Sequence, residues 1–195
     1  MKTPPIFNTT SSLRSKVLPA VMLGIVLTFS NCKKTDPAPA DENELITTVK
    51  LKFTDGTTVQ TFQWQDLDGD GGKAPTIQNV ALKINKTYKL DIELLDESKT
   101  PLVDQTKEIV EKKDEHLFVF TPTPSNLLTY TYGDKDTKNF PIGLTGSMRT
   151  TAAGTGTLRV VLRHQPPVNG MAQKNGTATP GSSDVDITFN VAVTN

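Results

Sequence analysis

Residues 45–64, LITTVKLKFTDGTTVQTFQW, decide the fold. From Leu45 the apolar period is two: Leu45, Thr47, Val49, Leu51 and Phe53 take one side, and Ile46, Thr48, Lys50 and Lys52 the other. Successive side chains of a strand point to opposite faces, so this alternation marks a half-buried strand. Asp55-Gly56 then supplies the residue types that tolerate the positive φ of a tight hairpin turn. Thr57 to Trp64 runs back with Phe62 and Trp64 on its apolar side. A hairpin with one apolar face must bury it against a second layer.

The pattern recurs along the chain. Ile77–Ile84 and Thr87–Leu95 read as strands, the second with Tyr88, Leu90, Ile92 and Leu94 inward and Lys89, Asp91 and Glu93 outward. His116–Phe120, Leu127–Tyr132, Ile142–Thr151, Thr157–His164 and Val185–Val193 follow, with Gly143 and Gly146 weakening the third of these. Asp96–Glu115 reads as a short helix around Asp104–Lys112 or as a charged edge strand. No long segment of period 3.6 separates the strands, so a parallel sheet with crossover helices is excluded. About nine strands at turn-punctuated spacing predict an all-β fold. It is expected to be an antiparallel immunoglobulin-like β-sandwich, a small β-barrel being the alternative. The last strand, with five apolar positions in one phase, is expected to be central or closing.

Upstream of residue 45 the composition changes. Lys2, Arg14 and Lys16 stand in a segment without an acidic residue, followed by the 14-residue apolar run Val17–Ser30. Such a run is shorter than the roughly 20 residues that span a bilayer and has the size of a signal-peptide core. It ends at Cys32, the one cysteine of the 195-residue chain, which excludes an internal disulfide or a cysteine-rich zinc site. Residues 1–31 are therefore expected to be a lipoprotein signal peptide and Cys32 the lipid-carrying first residue of the mature chain. Lys33–Asn43, with Pro37 and Pro39, reads as a flexible tether, so residues 32–43 lead to a single domain at 44–195. Phe29 and Asn31 stand where a lipobox usually has Leu and a small residue. The mature part carries 18 basic against 21 acidic residues, and with no basic stripe a nucleic-acid partner is not expected.

Two groups of residues have the chemistry of a metal site. Asp66-Leu67-Asp68-Gly69-Asp70-Gly71 spaces carboxylates as the start of an EF-hand loop does, but the twelfth position is Ile77 instead of a bidentate Glu. Asp66, Asp68 and Asp70 are thus either a partial Ca2+ site or turn residues bonded to their own backbone. Asp134 and Asp136 would add to that site only if the fold joins the two loops. His116 and His164, the two histidines, both fall at strand ends. Together with Asp114 or Glu115 they would suit a transition metal such as zinc or copper if the fold converges them. Otherwise they are rim histidines bonded to backbone or carboxylates. Arg159 and Arg163 share the outward phase of one strand, as surface charges or an anion site. No nucleophile elbow, zinc-protease helix, P-loop or dinucleotide fingerprint occurs, so no enzyme activity is expected.

ENELITTV at 42–49, DLDGDGG at 66–72, DEHLF at 114–118, LRHQP at 162–166 and DVDITFNV at 184–191 resemble a Bacteroidetes-type outer-membrane lipoprotein family of unknown function. Phe29, Asn31 and the Lys33-Lys34 pair after Cys32 also resemble the looser export signals of that group. Such proteins sometimes carry the label of a type 1 periplasmic binding fold, which needs two α/β domains and does not suit this chain. The resemblance implies an exported protein held on the outer membrane by its N-terminal lipid, facing the periplasm or the surface. Two functions follow as expectations. One is a binding protein accessory to metal or nutrient uptake with an outer-membrane transporter; the other is a structural or adhesive envelope module for a protein or glycan partner.

Overall fold

The computed structural model describes residues 45–69 and 72–195; the expected signal peptide, Cys32 and the tether lie outside them. The elements in order are β1 (Thr48–Asp55), β2 (Thr58–Gln65), β3 (Thr76–Ile77), β4 (Val80–Lys83), β5 (Thr87–Asp96) and β6 (Val103–Asp104). Then come α1 (Gln105–Glu111), β7 (His116–Thr123), β8 (Leu128–Tyr132), β9 (Thr145–Thr150), β10 (Gly154–His164) and β11 (Ser182–Thr194). One sheet has the order β3-β2-β1-β5-β9-β8, with β6 beside the end of β5; the other has the order β4-β11-β10-β7. The sheets form a two-layer sandwich and do not close into a barrel. All pairs are antiparallel except β4 with β11, which run parallel.

The inward phases meet between the layers. Val49, Leu51 and Phe53 of β1, Tyr88, Leu90 and Ile92 of β5, and Leu158, Val160 and Leu162 of β10 are buried. From β11 come Val185, Ile187, Phe189, Val191 and Val193, all buried. At about 1.5–3 kcal/mol for each fully buried large apolar side chain, those five residues favour the central position that β11 takes between β4 and β10. Phe53 anchors the opposite layer, its ring edge-on to Phe62 and Tyr88 at centroid distances of 5.9 and 6.0 Å. The β1–β2 turn is as tight as its sequence implies, with Asp55 opposite Thr58 and Gly56 at φ +58°.

Several local expectations give way to tertiary pairing. Ile77–Ile84 is not one strand: β3 pairs with β2 and β4 with β11. The segment crosses from the edge of one sheet to the edge of the other, a choice that alternation does not encode. Leu45 is about half exposed while Ile46 is buried, because the phase reverses ahead of β1, where Thr47 bonds Leu95 O through its N–H and its hydroxyl. In the Asp96–Glu115 segment the helix prevails. Asp104 caps α1 by accepting the Thr106 N–H at 3.1 Å, and Ile109 enters the core. Among the described residues no helix is long and apolar enough to cross a membrane.

The glycines that weaken the Ile142–Thr151 strand make room for tyrosines. Tyr130 donates its hydroxyl to Gly143 O and Tyr132 to Phe118 O, while the Phe120 and Tyr130 rings meet at 3.9 Å. These contacts tie β8 of one sheet to β7 of the other. A Cβ on Gly146 would lie 2.4 Å from both Tyr130 Oη and Thr131 O. Gly146→Ala is therefore expected to destabilise the domain by about 1–3 kcal/mol through overpacking. An unchanged denaturation midpoint would show that the seam yields without cost.

Candidate metal centre

β7 begins and β10 ends on the same rung: His116 and His164 are directly opposite in the antiparallel register. Both point inward, in phase with Phe118 and Leu162, and their rings stack at 4.6 Å with planes 8° apart. The third member comes from β11. Pairing there passes from Leu162–Val185 to Arg163–Ser183, leaving Asp184 as the extra residue of a β-bulge. Regular alternation would put Asp184 outward with Asp186. The bulge instead turns it inward with Val185, and its side chain has no exposed surface.

Asp184 Oδ2 lies 3.6 Å from His116 Nε2, and Oδ1 lies 3.8 Å from His164 Nδ1. One potential ligand atom from each of the three residues falls within 4.8 Å of the others, the one such group among the described residues. The two short separations exceed a hydrogen bond. They are a few tenths of an ångström longer than the roughly 3.3 Å edge of a tetrahedron with zinc–nitrogen and zinc–oxygen bonds. The near-parallel rings share no common plane, so an ion lying in the plane of both needs one ring to turn.

The outer nitrogens define the polarity of the site. His116 Nδ1 sits 3.0 Å from Lys112 O, the carbonyl of the α1 C-cap. A carbonyl only accepts, so Nδ1 carries the proton, and in the neutral ring the Nε2 lone pair faces the Asp184 carboxylate. His164 Nε2 faces Glu115 Oε2 at 3.7 Å. Each imidazole thus turns one nitrogen to an outer oxygen and the other to Asp184, the arrangement in which metal-bound histidines are held. Neither oxygen of Asp184 has a hydrogen-bond partner among the described residues. An ionised carboxylate buried in this way is costly, and a cation between it and the rings removes that cost. Glu115, with 29% of its side chain exposed, marks the solvent side.

The other expected ligands are used elsewhere. Asp114 accepts the N–H and hydroxyl of Thr137 at 2.9 and 2.6 Å, so it is not the third ligand. Asp66 accepts Gly69 N–H at 3.0 Å and Asp68 accepts Lys73 N–H at 2.8 Å, the turn role; Asp70 lies outside the described residues. Asp134 accepts the amides of Gly143 and Thr145, and Asp136 those of Lys138 and Phe140, so these carboxylates organise their own loop. Arg159 forks onto Asp186, and Arg163 donates to Ser183, Pro180 O and Gly181 O. That leaves no paired guanidinium site for an anion. Asp184 escaped the sequence because D-V-D places both aspartates in the outward phase, and nothing in three residues announces a bulge.

The turn between α1 and β7 forms the wall of the centre, and the 165–181 loop braces it. Gln165 donates its N–H to Glu115 O at 2.6 Å. Lys174 donates to Lys113 O at 2.8 Å and meets Asp136 at 3.0 Å, both side chains essentially without exposed surface. Burial pushes the Lys174 ammonium below its usual pKa, and Asp136 opposes that shift. Lys174→Met strands a buried carboxylate and is expected to cost about 3–5 kcal/mol in denaturant unfolding. Adding Asp136→Asn, which removes the charge and keeps an acceptor for the loop amides, should recover much of the loss. A double variant no more stable than the single one would rule out the stranded charge as the cause.

Set against models of protein families, curated proteins and solved structures, the chain has no match in any of the three, so the chemistry of this centre is carried by its own geometry.

Proposed function

We propose that the protein is an exported, lipid-anchored envelope protein that binds one divalent transition-metal ion through His116 Nε2, His164 Nδ1 and Asp184. The observation that carries this is the convergence of the three donors, one ligand atom from each lying within 4.8 Å of the others. With His116 Nδ1–H given to Lys112 O, Nε2 is turned to the buried Asp184 carboxylate at 3.6 Å, which places both donors on one side of a metal ion. Two nitrogens and a carboxylate suit zinc, with copper or nickel binding the same donors, whereas calcium and magnesium take all-oxygen sites. The buried centre favours holding an ion over turning over a substrate. Held by lipid at Cys32, such a protein would serve metal capture beside an outer-membrane transporter.

A second reading has its own observation. The rings already stack face to face as a cross-strand pair, as they would in a sandwich module whose work is adhesion or assembly and whose histidines only close the end of the core.

Calorimetric titration of the mature domain with ZnCl2, and thermal melts with and without EDTA, separate the two. One equivalent of zinc is expected, lost in His116→Ala, His164→Ala and Asp184→Asn. Zinc at a hundredfold excess over its Kd would stabilise by about 2.7 kcal/mol, raising Tm by about 5–10 °C for a domain of this size. Absence of binding, with identical melts, would leave the structural module. For the anchor, Cys32→Ala should move the protein from the membrane to the soluble fraction; continued membrane association would refute lipidation at Cys32.

A further inference from the structure

We infer that Glu115 is the positioning residue of the centre: it accepts the Nε2–H of His164 and adds the second negative charge that balances a divalent ion. This rests on the metal reading above.

The two imidazoles face different outer oxygens. His116 has a hydrogen bond of ordinary length to a backbone carbonyl, whereas the corresponding oxygen behind His164 is the Glu115 carboxylate, 3.7 Å away. The Glu115 backbone is held on both sides, its N–H donating to Lys112 O at 2.9 Å and its carbonyl accepting from Gln165 N–H at 2.6 Å. Its side chain, by contrast, is partly in solvent and is the group free to close the gap. Closing it converts a long contact into a charge-assisted hydrogen bond, fixes His164 with Nδ1 toward Asp184, and makes the ring a stronger donor to the ion.

Charge leads to the same residue. Two neutral imidazoles and Asp184 carry one negative charge, which leaves a divalent ion half neutralised in a site screened from water. With Glu115 the four side chains and the ion sum to zero, and a buried net charge is avoided. The same carboxylate lies at the exposed margin, where it attracts a cation before the cation reaches the buried donors.

Competition titrations of ZnCl2 against a chromophoric chelator, on the mature domain and its Glu115 variants, test this. Glu115→Gln is expected to weaken zinc binding about 10–100-fold, with one zinc still bound and the metal-free Tm unchanged, and Glu115→Asp to recover most of the loss. In the cobalt-loaded protein, Glu115→Gln should leave the visible absorption bands in place, because the ligands are unaltered. Zinc affinity within about twofold of wild type, a fall in the metal-free Tm, or a changed cobalt spectrum would each overturn the positioning role. Only a wild-type domain that binds no zinc would overturn the metal reading with it.

Discussion

The alternating apolar face of β11 is the constraint on which the two layers depend. Five of its residues are buried between sheets that share no continuous hydrogen-bonding path, so apolar burial holds the layers together. Phe189 and Val191 share one buried cluster with Phe53 and Leu90, which β1 and β5 present from adjacent positions in the other sheet. β10, β7 and parallel β4 then take their places by hydrogen bonding to β11 and to one another. The order is one of consequence: burial selects the central strands, and backbone pairing recruits the rest.

At one end the alternation breaks, and polar chemistry begins there. The bulge at Asp184 inserts a single residue and so moves a carboxylate from the solvent phase into the core phase. In an apolar surrounding that change would be severely unfavourable. It is tolerated because β10, beside β11, and β7 beyond it reach the same level with imidazoles. The turn that leads into β7 is built from groups already committed to binding: the α1 C-cap carbonyl takes His116 Nδ1–H, Lys113 O takes the buried Lys174, and Glu115 O takes Gln165 N–H. The backbone around the centre is therefore hydrogen-bonded, while its outermost carboxylate, that of Glu115, is partly exposed and faces His164.

The side seam shows the same economy in apolar form. Tyr130 and Tyr132 bridge the layers between β8 and β7, and the glycines opposite them are empty because rings and hydroxyls fill the space. Residues that lower strand propensity in isolation are here the condition for close packing. At the other end of the 165–181 loop Gly181 plays a similar part, since a Cβ there would lie 1.8 Å from His164 O.

Period-two alternation, turn residues and the absence of helical periodicity were enough to determine an all-β sandwich, its principal strands and their inward faces, because those properties are local and repeat every two residues. The candidate histidines were legible too, since their phase relative to Leu162 and Phe118 is local. What only the tertiary structure decided was which strands became neighbours, that residues 77–84 serve two sheets, that His116 lies opposite His164, and that Asp184 turns inward. Register between distant strands depends on the summed burial of both layers, and a bulge reverses side-chain direction without a marker in the neighbouring residues. A site assembled from three strand ends, one of them bulged, therefore has its chemistry in the sequence and its geometry only in the fold.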